Sequence, residues 1–282
     1  MVINTFCHIP TITSKDEKML WNSGIYGWES YSSELMKQFP KYKLKKLEEY
    51  LDISQDNLIN GNPHFFAKML KNADHWRLFR EFRESIAYID IETSGLTEFD
   101  NITTIALYDG KDIKTYVNGR NLESFKNDIQ NYKIIVTYNG KCFDVPFIKR
   151  FLGIEMNHVH IDLRYVLYSL GYKGGLKACE KRLGISRNEL ENIDGFFAVE
   201  LWNEYQKTKD EELLNTLLAY NIEDVINLEL LMVIANNIKL SPTPLKDLFE
   251  IPMPERPNVS FKPNINLVNQ NRYKRLARIN YF

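Results

Sequence analysis

Four acidic side chains in three separated segments are the residues whose types and spacing could do chemistry. Asp90 and Glu92 lie in AYIDIETSGL, Asp144 in TYNGKCFDVPF, and Asp224 in AYNIEDVINL, with Tyr220 four positions before Asp224. A buried carboxylate without a partner is costly, so four of them converge only where cations neutralise them. Hard oxygen donors in that number suit magnesium or manganese. Two such ions, about 4 Å apart, are a means of hydrolysing phosphodiesters.

The elements that must position these groups can be read locally. IAYIDIE is a short apolar run rich in β-branched and aromatic residues, a buried strand. Asp90 and Glu92, two apart, share one face of it, and Ile89 and Ile91 take the other. Both acids sit near the strand's carboxyl end, where α/β sheets open their sites. Asp144 follows a loop, Asn139 to Phe143, after a second buried strand, KIIVTYN. It is placed either to cap a helix starting at Val145 or to bind an ion, and the two roles are compatible. Tyr220 and Asp224 share a helix face at i and i+4, and the apolar Ile222, Val225, Ile226 and Leu228 around them imply a packed helix.

Further strands are expected at TTIALYD and IKTYV, joined by Asp109 to Asp112 as hairpin punctuation, and at HVHI (158–161). After Asp162 the pattern is helical. DLRYVLYSLG and LKACEKRLG each stop at a glycine suited to a C-cap, and DEELLNTLLAYNIEDVINLELLMVIANNI is long and strongly apolar. Strands in succession and then strands separated by helices describe a mixed sheet flanked by helices. Residues 1–85 read as a helical region without strand alternation. The stretch after Leu240, rich in Ser, Pro and Asn, reads as an extended tail.

Composition narrows the function classes. With 44% apolar and 13% aromatic residues the chain is neither disordered nor fibrous. No apolar run is long enough to span a bilayer, and MVINTFCHIP lacks the pattern of a signal peptide, so a cytoplasmic protein is expected. Three scattered cysteines argue against disulfides and a thiolate zinc site. The net charge of −1 argues against a strongly electrostatic nucleic-acid binder, but the charge is uneven. Residues 86–238 hold 16 basic and 23 acidic side chains, whereas residues 239–282 hold 8 and 3. An acidic centre between basic ends fits metal binding with a polyanion held against it. The run KQFPKYKLKK gathers five lysines around aromatics, to be read either as a phosphate-contacting segment or as one solvated helix face.

Taken together, the acidic motifs resemble those of the DEDD superfamily of 3′–5′ exonucleases. Asp90-Ile91-Glu92 resembles D-x-E, Asn139 through Asp144 resembles N-x-x-x-[FY]-D, and Tyr220 through Asp224 resembles Y-x-x-x-D. Ala219 stands where the histidine branch carries histidine, so the chain is similar to the tyrosine branch. IDLRYVLYSLG, GGLKACEKRLGI and DGFFAVELWNEY resemble the YprB-type ribonuclease H-like domain group. HIPTITSKDEKMLWNSGIYGWESY resembles a hairpin-like segment of that group whose glycine amides face a phosphate, with Thr11 and Thr13 at the glycine positions.

The resemblance implies an α/β, ribonuclease H-like fold over 86–238, a mixed five-stranded sheet flanked by helices; the small helical, partly hairpin-like region over 1–85 and the extended basic tail over 239–282 are read from the sequence pattern alone. It implies that Asp90, Glu92, Asp144 and Asp224 hold two Mg2+ or Mn2+ ions, and that Tyr220 orients the attacking water with help from Glu92. The implied activity is metal-dependent 3′–5′ exonuclease hydrolysis of single-stranded DNA or RNA ends. A nucleic-acid-binding module or a structure-specific endonuclease on the same fold is the alternative. Lys141 and Lys177 are candidate phosphate contacts, Asp162 a candidate helix cap, and His158 and His160 a pair on one strand face.

Overall fold

A computed structural model of the chain describes residues 1–31, 39–191 and 193–270. The strands are β1 (Ile86–Thr93), β2 (Ile102–Tyr108), β3 (Ile113–Val117), β4 (Ile134–Thr137) and β5 (Val159–Asp162). They form one five-stranded sheet in the order β3-β2-β1-β4-β5. The first three are antiparallel neighbours, while β4 joins β1 and β5 joins β4 in parallel. This is the mixed α/β sheet of the ribonuclease H-like fold. The β2–β3 turn closes on Asp109, whose Oδ1 accepts from the amides of Lys111 (3.0 Å) and Asp112 (2.8 Å).

The helices used below are α1 (Ser14–Asn22), α2 (Lys41–Ile59), α3 (Pro63–Met69), α4 (Asp144–Leu152), α5 (Leu163–Ser169), α6 (Leu176–Arg182), α7 (Gly195–Thr208) and α8 (Glu211–Leu240). Strand alternation divides the core in two. Ala87, Ile89 and Ile91 of β1 pack with Phe147 and Ile148 of α4 on one face of the sheet. Tyr88 and Ala106 on the other face pack with Ile222, Val225 and Ile226 of α8. Asp210 caps α8 by accepting from the Glu212 amide, and Glu211 and Glu212 complement the dipole in its first turn. Its 30 residues are buried almost throughout, because the sheet and α7 cover different sides of it.

The amino-terminal helices share one apolar cluster with the sheet, in which Leu20, Trp21, Leu47, Phe66 and Trp76 join Ile86, Tyr88 and Val136. Within it lies a buried ion pair. Glu17 accepts from Arg77 Nη2 at 2.7 Å and from the Phe6 and Cys7 amides at 2.7 and 3.1 Å. The hairpin-like reading of HIPTIT needs correction. Thr11 takes a left-handed φ of 75°, and Thr13 is the N-cap of α1 in a reciprocal capping box with Asp16. The Thr13 amide and hydroxyl are therefore committed to a helix end, and no strand forms among the described residues of 1–85. In KQFPKYKLKK, Lys37 and Gln38 lie outside the described residues. From Lys41 the run opens α2, where Lys43 bonds both Asp16 carboxylate oxygens at 2.7 Å and Lys46 pairs with Glu49 at 2.8 Å.

The carboxyl-terminal segment lies antiparallel along α8. Asn237 exchanges two hydrogen bonds with the Ile251 backbone, Arg256 Nη2 meets Glu223 Oε2 at 2.5 Å, and the Asn264 amide donates to Thr216 Oγ1 at 2.9 Å. Ile251 and Val268 are buried. Four of the tail's eight basic residues fall after Asn271, outside the described residues.

The Glu17–Arg77 pair yields a stability prediction. Glu17→Ala strands a buried guanidinium and frees two buried amides, so it should cost about 3–5 kcal/mol. Urea unfolding monitored by tryptophan fluorescence would register the loss as a lowered midpoint; a loss below about 1 kcal/mol would mean that water solvates Arg77 in the folded protein.

Candidate metal centre

Asp90 and Glu92 project from the α8-facing side of β1, at its carboxyl end. The register with β2 slips between Glu92 and Thr93, a bulge that bends the strand as it leaves the site. Asp224 enters from α8. One carboxylate oxygen from each of Asp90, Glu92 and Asp224 lies within 4.8 Å of the other two. Glu92 and Asp224 are buried and Asp90 is half-buried. Asp144, the first residue of α4 and also buried, stands outside this trio. Its charge still reaches both β1 acids.

Burial, followed by the charges of Asp224, Asp144 and Glu92, holds the Asp90 carboxyl well above the usual carboxylate range. Glu92 is raised likewise, by burial and then Asp224. Asp144 is pushed up to about 7, mainly by burial, although its own amide and that of Ile91 oppose the shift. Three hard donors pressed together in a protein interior are unfavourable as bare anions. The donor set therefore fits a divalent cation, and Asp90, Glu92 and Asp224 are the residues that would hold it.

Two cations of the chain also face this cluster. Arg187 forms an ion pair with Asp224 and makes two 2.6 Å bonds to Glu180 on α6. Apart from this ion pair, Asp224 Oδ1 has no hydrogen-bond partner among the described residues. Lys177 Nζ is buried without a hydrogen-bond partner, 4.6 Å from the centre of the Tyr220 ring. Burial draws its pKa down, against the pull of Asp224. Burial and the neighbouring Asp224 raise the Tyr220 hydroxyl well above its ordinary value, so it stays protonated and able to donate.

The positioning contacts come from polar residues set in apolar surroundings. Asn221 Nδ2 donates to Asp90 Oδ2 at 2.8 Å, and its Oδ1 accepts from Thr104 on β2 at 3.1 Å, which fixes the rotamer of the β1 acid. Asp162 caps α5 through the Arg164 amide and also accepts the Asn139 and Lys141 amides at 2.8 and 3.1 Å. It thus anchors the loop that delivers Asp144. Asn139 turns that loop at φ 67°, and a Cβ at Gly140 would meet Thr137 Oγ1 at 2.4 Å. Only glycine fits so close to β4.

The structure brings Asp90, Glu92, Asp224 and Tyr220 to one place, with Asp144 beside them. His158 and His160 are engaged elsewhere, with the Ile129 carbonyl (2.9 Å) and Thr137 Oγ1 (2.8 Å). Lys141 Nζ bonds Asn72 at 2.7 Å. Asn221, Glu180 and Arg187 were not singled out from the sequence. Asn221 is a polar residue in a long apolar helix, a signal that could have been followed. Glu180 and Arg187 are seven apart across a helix end and carry no local pattern.

The RNase_H_2 profile, described as RNase_H superfamily, matches residues 87–236, more than half of the chain. The chain belongs to the RNase_H superfamily. Among solved structures, a family B DNA polymerase from the hyperthermophilic archaeon Pyrobaculum calidifontis shows 20% identity over 56% of this chain, with a TM-score of 0.41. The chain spans 24% of that polymerase. No curated protein matches by sequence.

An ion that binds only the folded protein stabilises it by mass action, so Mn2+ at about a hundred times its Kd should raise the melting temperature by about 5 °C. Asp90→Asn should remove most of that rise. A melting curve that does not respond to Mn2+ would mean the carboxylates do not form a metal centre.

Proposed function

We propose that the protein is a metal-dependent nuclease of the DEDD superfamily, of the tyrosine branch and resembling the YprB-type domains, that removes nucleotides from the 3′ end of a nucleic acid strand. The observation that carries this reading is the convergence of Asp90, Glu92 and Asp224 beneath a buried, protonated Tyr220. Membership of the RNase_H superfamily supports it, since nucleases of that fold work through divalent metals bound to carboxylates.

Divalent cations, when bound, supply a Lewis acid at the scissile phosphate and lower the pKa of a water at neutral pH. Asp90, Glu92 and Asp224 would hold them, and Asp144 would add a donor from the start of α4. Asn221 keeps Asp90 in its ligand rotamer. The Tyr220 hydroxyl donates to the attacking water and, with Glu92, sets its approach to phosphorus. Water adds to the phosphorus and the bond to the 3′ oxygen breaks. The shortened strand keeps a 3′ hydroxyl, and a nucleoside 5′-monophosphate leaves. The Lys177 ammonium, buried over the Tyr220 ring without a hydrogen-bond partner, would offset the charge that develops on the phosphate.

Purified protein with Mn2+ and 5′-labelled single-stranded DNA or RNA should produce a ladder shortening from the 3′ end. Asp224→Ala should abolish it, while Arg187 keeps its two bonds to Glu180 and the fold survives. Tyr220→Phe should lower kcat by about 10²-fold with little change in the melting shift caused by Mn2+. Internal cuts instead of a ladder would favour the endonuclease reading. Tight binding without any cleavage would make the domain a binding module.

A further inference from the structure

A cleft of about 530 Å³ opens between the loop after β4, which leads to Asp144, and the link from α5 to α6, which leads to Lys177. Tyr138, Asn139, Arg164, Tyr168, Tyr172 and Lys173 line it. We propose that this cleft is the path of the substrate strand, a groove in which single-stranded nucleic acid stacks its bases on tyrosines and sets its phosphates against Arg164 and Lys173. The proposal rests on the nuclease reading and adds to it the surface that carries the strand.

Three features support the assignment. The first is aromatic exposure. Tyr168 on α5 stands 59% exposed, and Tyr138 and Tyr172 line the same cleft half-buried. Exposed rings are sequence-tolerant platforms for unpaired bases.

The second is charge. Residues 163–182 carry five basic side chains and one acidic one, within a region that is otherwise acidic. The acid is Glu180, buried against Arg187. Arg164, Lys173, Lys181 and Arg182 form no ion pair among the described residues, unlike Lys43 and Lys46 of α2, which are paired with Asp16 and Glu49. The cations also lie over rings: Lys173 Nζ is 5.0 Å from the Tyr168 centre, and the Arg182 guanidinium carbon is 4.9 Å from that of Tyr172. Basic groups interleaved with aromatic faces are the general composition of a single-strand groove.

The third is continuity with the chemistry. Asn139 lines the cleft, accepts a hydrogen bond from Arg164, and begins the loop that ends at Asp144. Leu176 lines the far wall, and the next residue, Lys177, sits over Tyr220. A strand in the cleft would thus reach the carboxylates with its terminal phosphate. A duplex keeps its bases stacked inside itself and gains nothing from the tyrosines.

The test is fluorescence anisotropy in EDTA, where binding is read without hydrolysis. The probes are labelled oligo(dT) and oligo(rU) of roughly ten nucleotides and a blunt duplex of the same length. Tyr168→Ala/Lys173→Ala, both at exposed positions, should weaken single-strand binding about tenfold and reduce the salt slope by about one. Lys45→Ala/Lys46→Ala on α2 should leave affinity unchanged. Equal single-strand affinity of the cleft variant and the wild type would overturn the proposal. So would an equal loss in the α2 variant, an equal loss for the duplex, or no binding by the wild type. Failure of the nuclease reading would show separately, as no cleavage with Mn2+ despite cleft-dependent binding.

Discussion

Mutual repulsion among carboxylates is the constraint on which the rest of this structure depends. Asp90, Glu92 and Asp224 are held within 4.8 Å of one another, with Asp144 near enough to add its field. Left to themselves, such groups would separate or turn toward water. They stay because two of them are fixed to a central strand, one to a buried helix and one to an anchored loop. Each of those elements is stabilised by packing that has nothing to do with charge.

The helix α8 shows how this is done. It carries Thr216, Tyr220, Asn221, Glu223, Asp224, Asn227 and Glu229 along a span that is otherwise apolar, and all of them are buried. Each polar group needs a partner that water cannot supply. The sheet supplies Thr104 and Asp90 to Asn221, α6 supplies Glu180 to Asn227, and the carboxyl-terminal segment supplies Arg256 to Glu223 and Asn264 to Thr216. Arg83, just before β1, pairs with Glu229 at 2.8 Å. The peripheral segments therefore complete the polar bonding of the helix that carries Asp224, and the amino-terminal helices close the apolar core around them.

Much of this was legible in the sequence, and the remainder was hidden for physical reasons. The five strands announce themselves as β-branched runs between turn residues, and the opposite facing of Asp90 and Ile89 follows from a period of two. Gly171 and Gly184 do end helical segments in left-handed conformations. The acids were legible because a charge is conspicuous in an apolar run. Arg187 was not, because its meaning depends on meeting Asp224 across a distance of 37 residues that only the fold defines. Asp162 was read as a helix cap; its second task, holding two loop amides, appears only once β4 and β5 lie side by side. The threonines of HIPTIT were read through a family pattern, whereas local capping chemistry, with Asp16 three residues on, decides the role of Thr13.

Arg187 is where stability and chemistry meet. A buried guanidinium that served only as the counter-charge of Asp224 would be stranded whenever that carboxylate took another cation, at a cost of several kcal/mol. Here its two short hydrogen bonds go to Glu180, which also accepts from Asn227 at 3.0 Å. Two of the guanidinium's nitrogens, Nε and Nη2, are thus held by Glu180 whether or not Asp224 is engaged. Asp224 can exchange partners while the buried pair of Glu180 and Arg187 remains intact. In the bare protein the same guanidinium offsets part of the repulsion among the acids, so the fold forms around a site whose charges are already partly balanced.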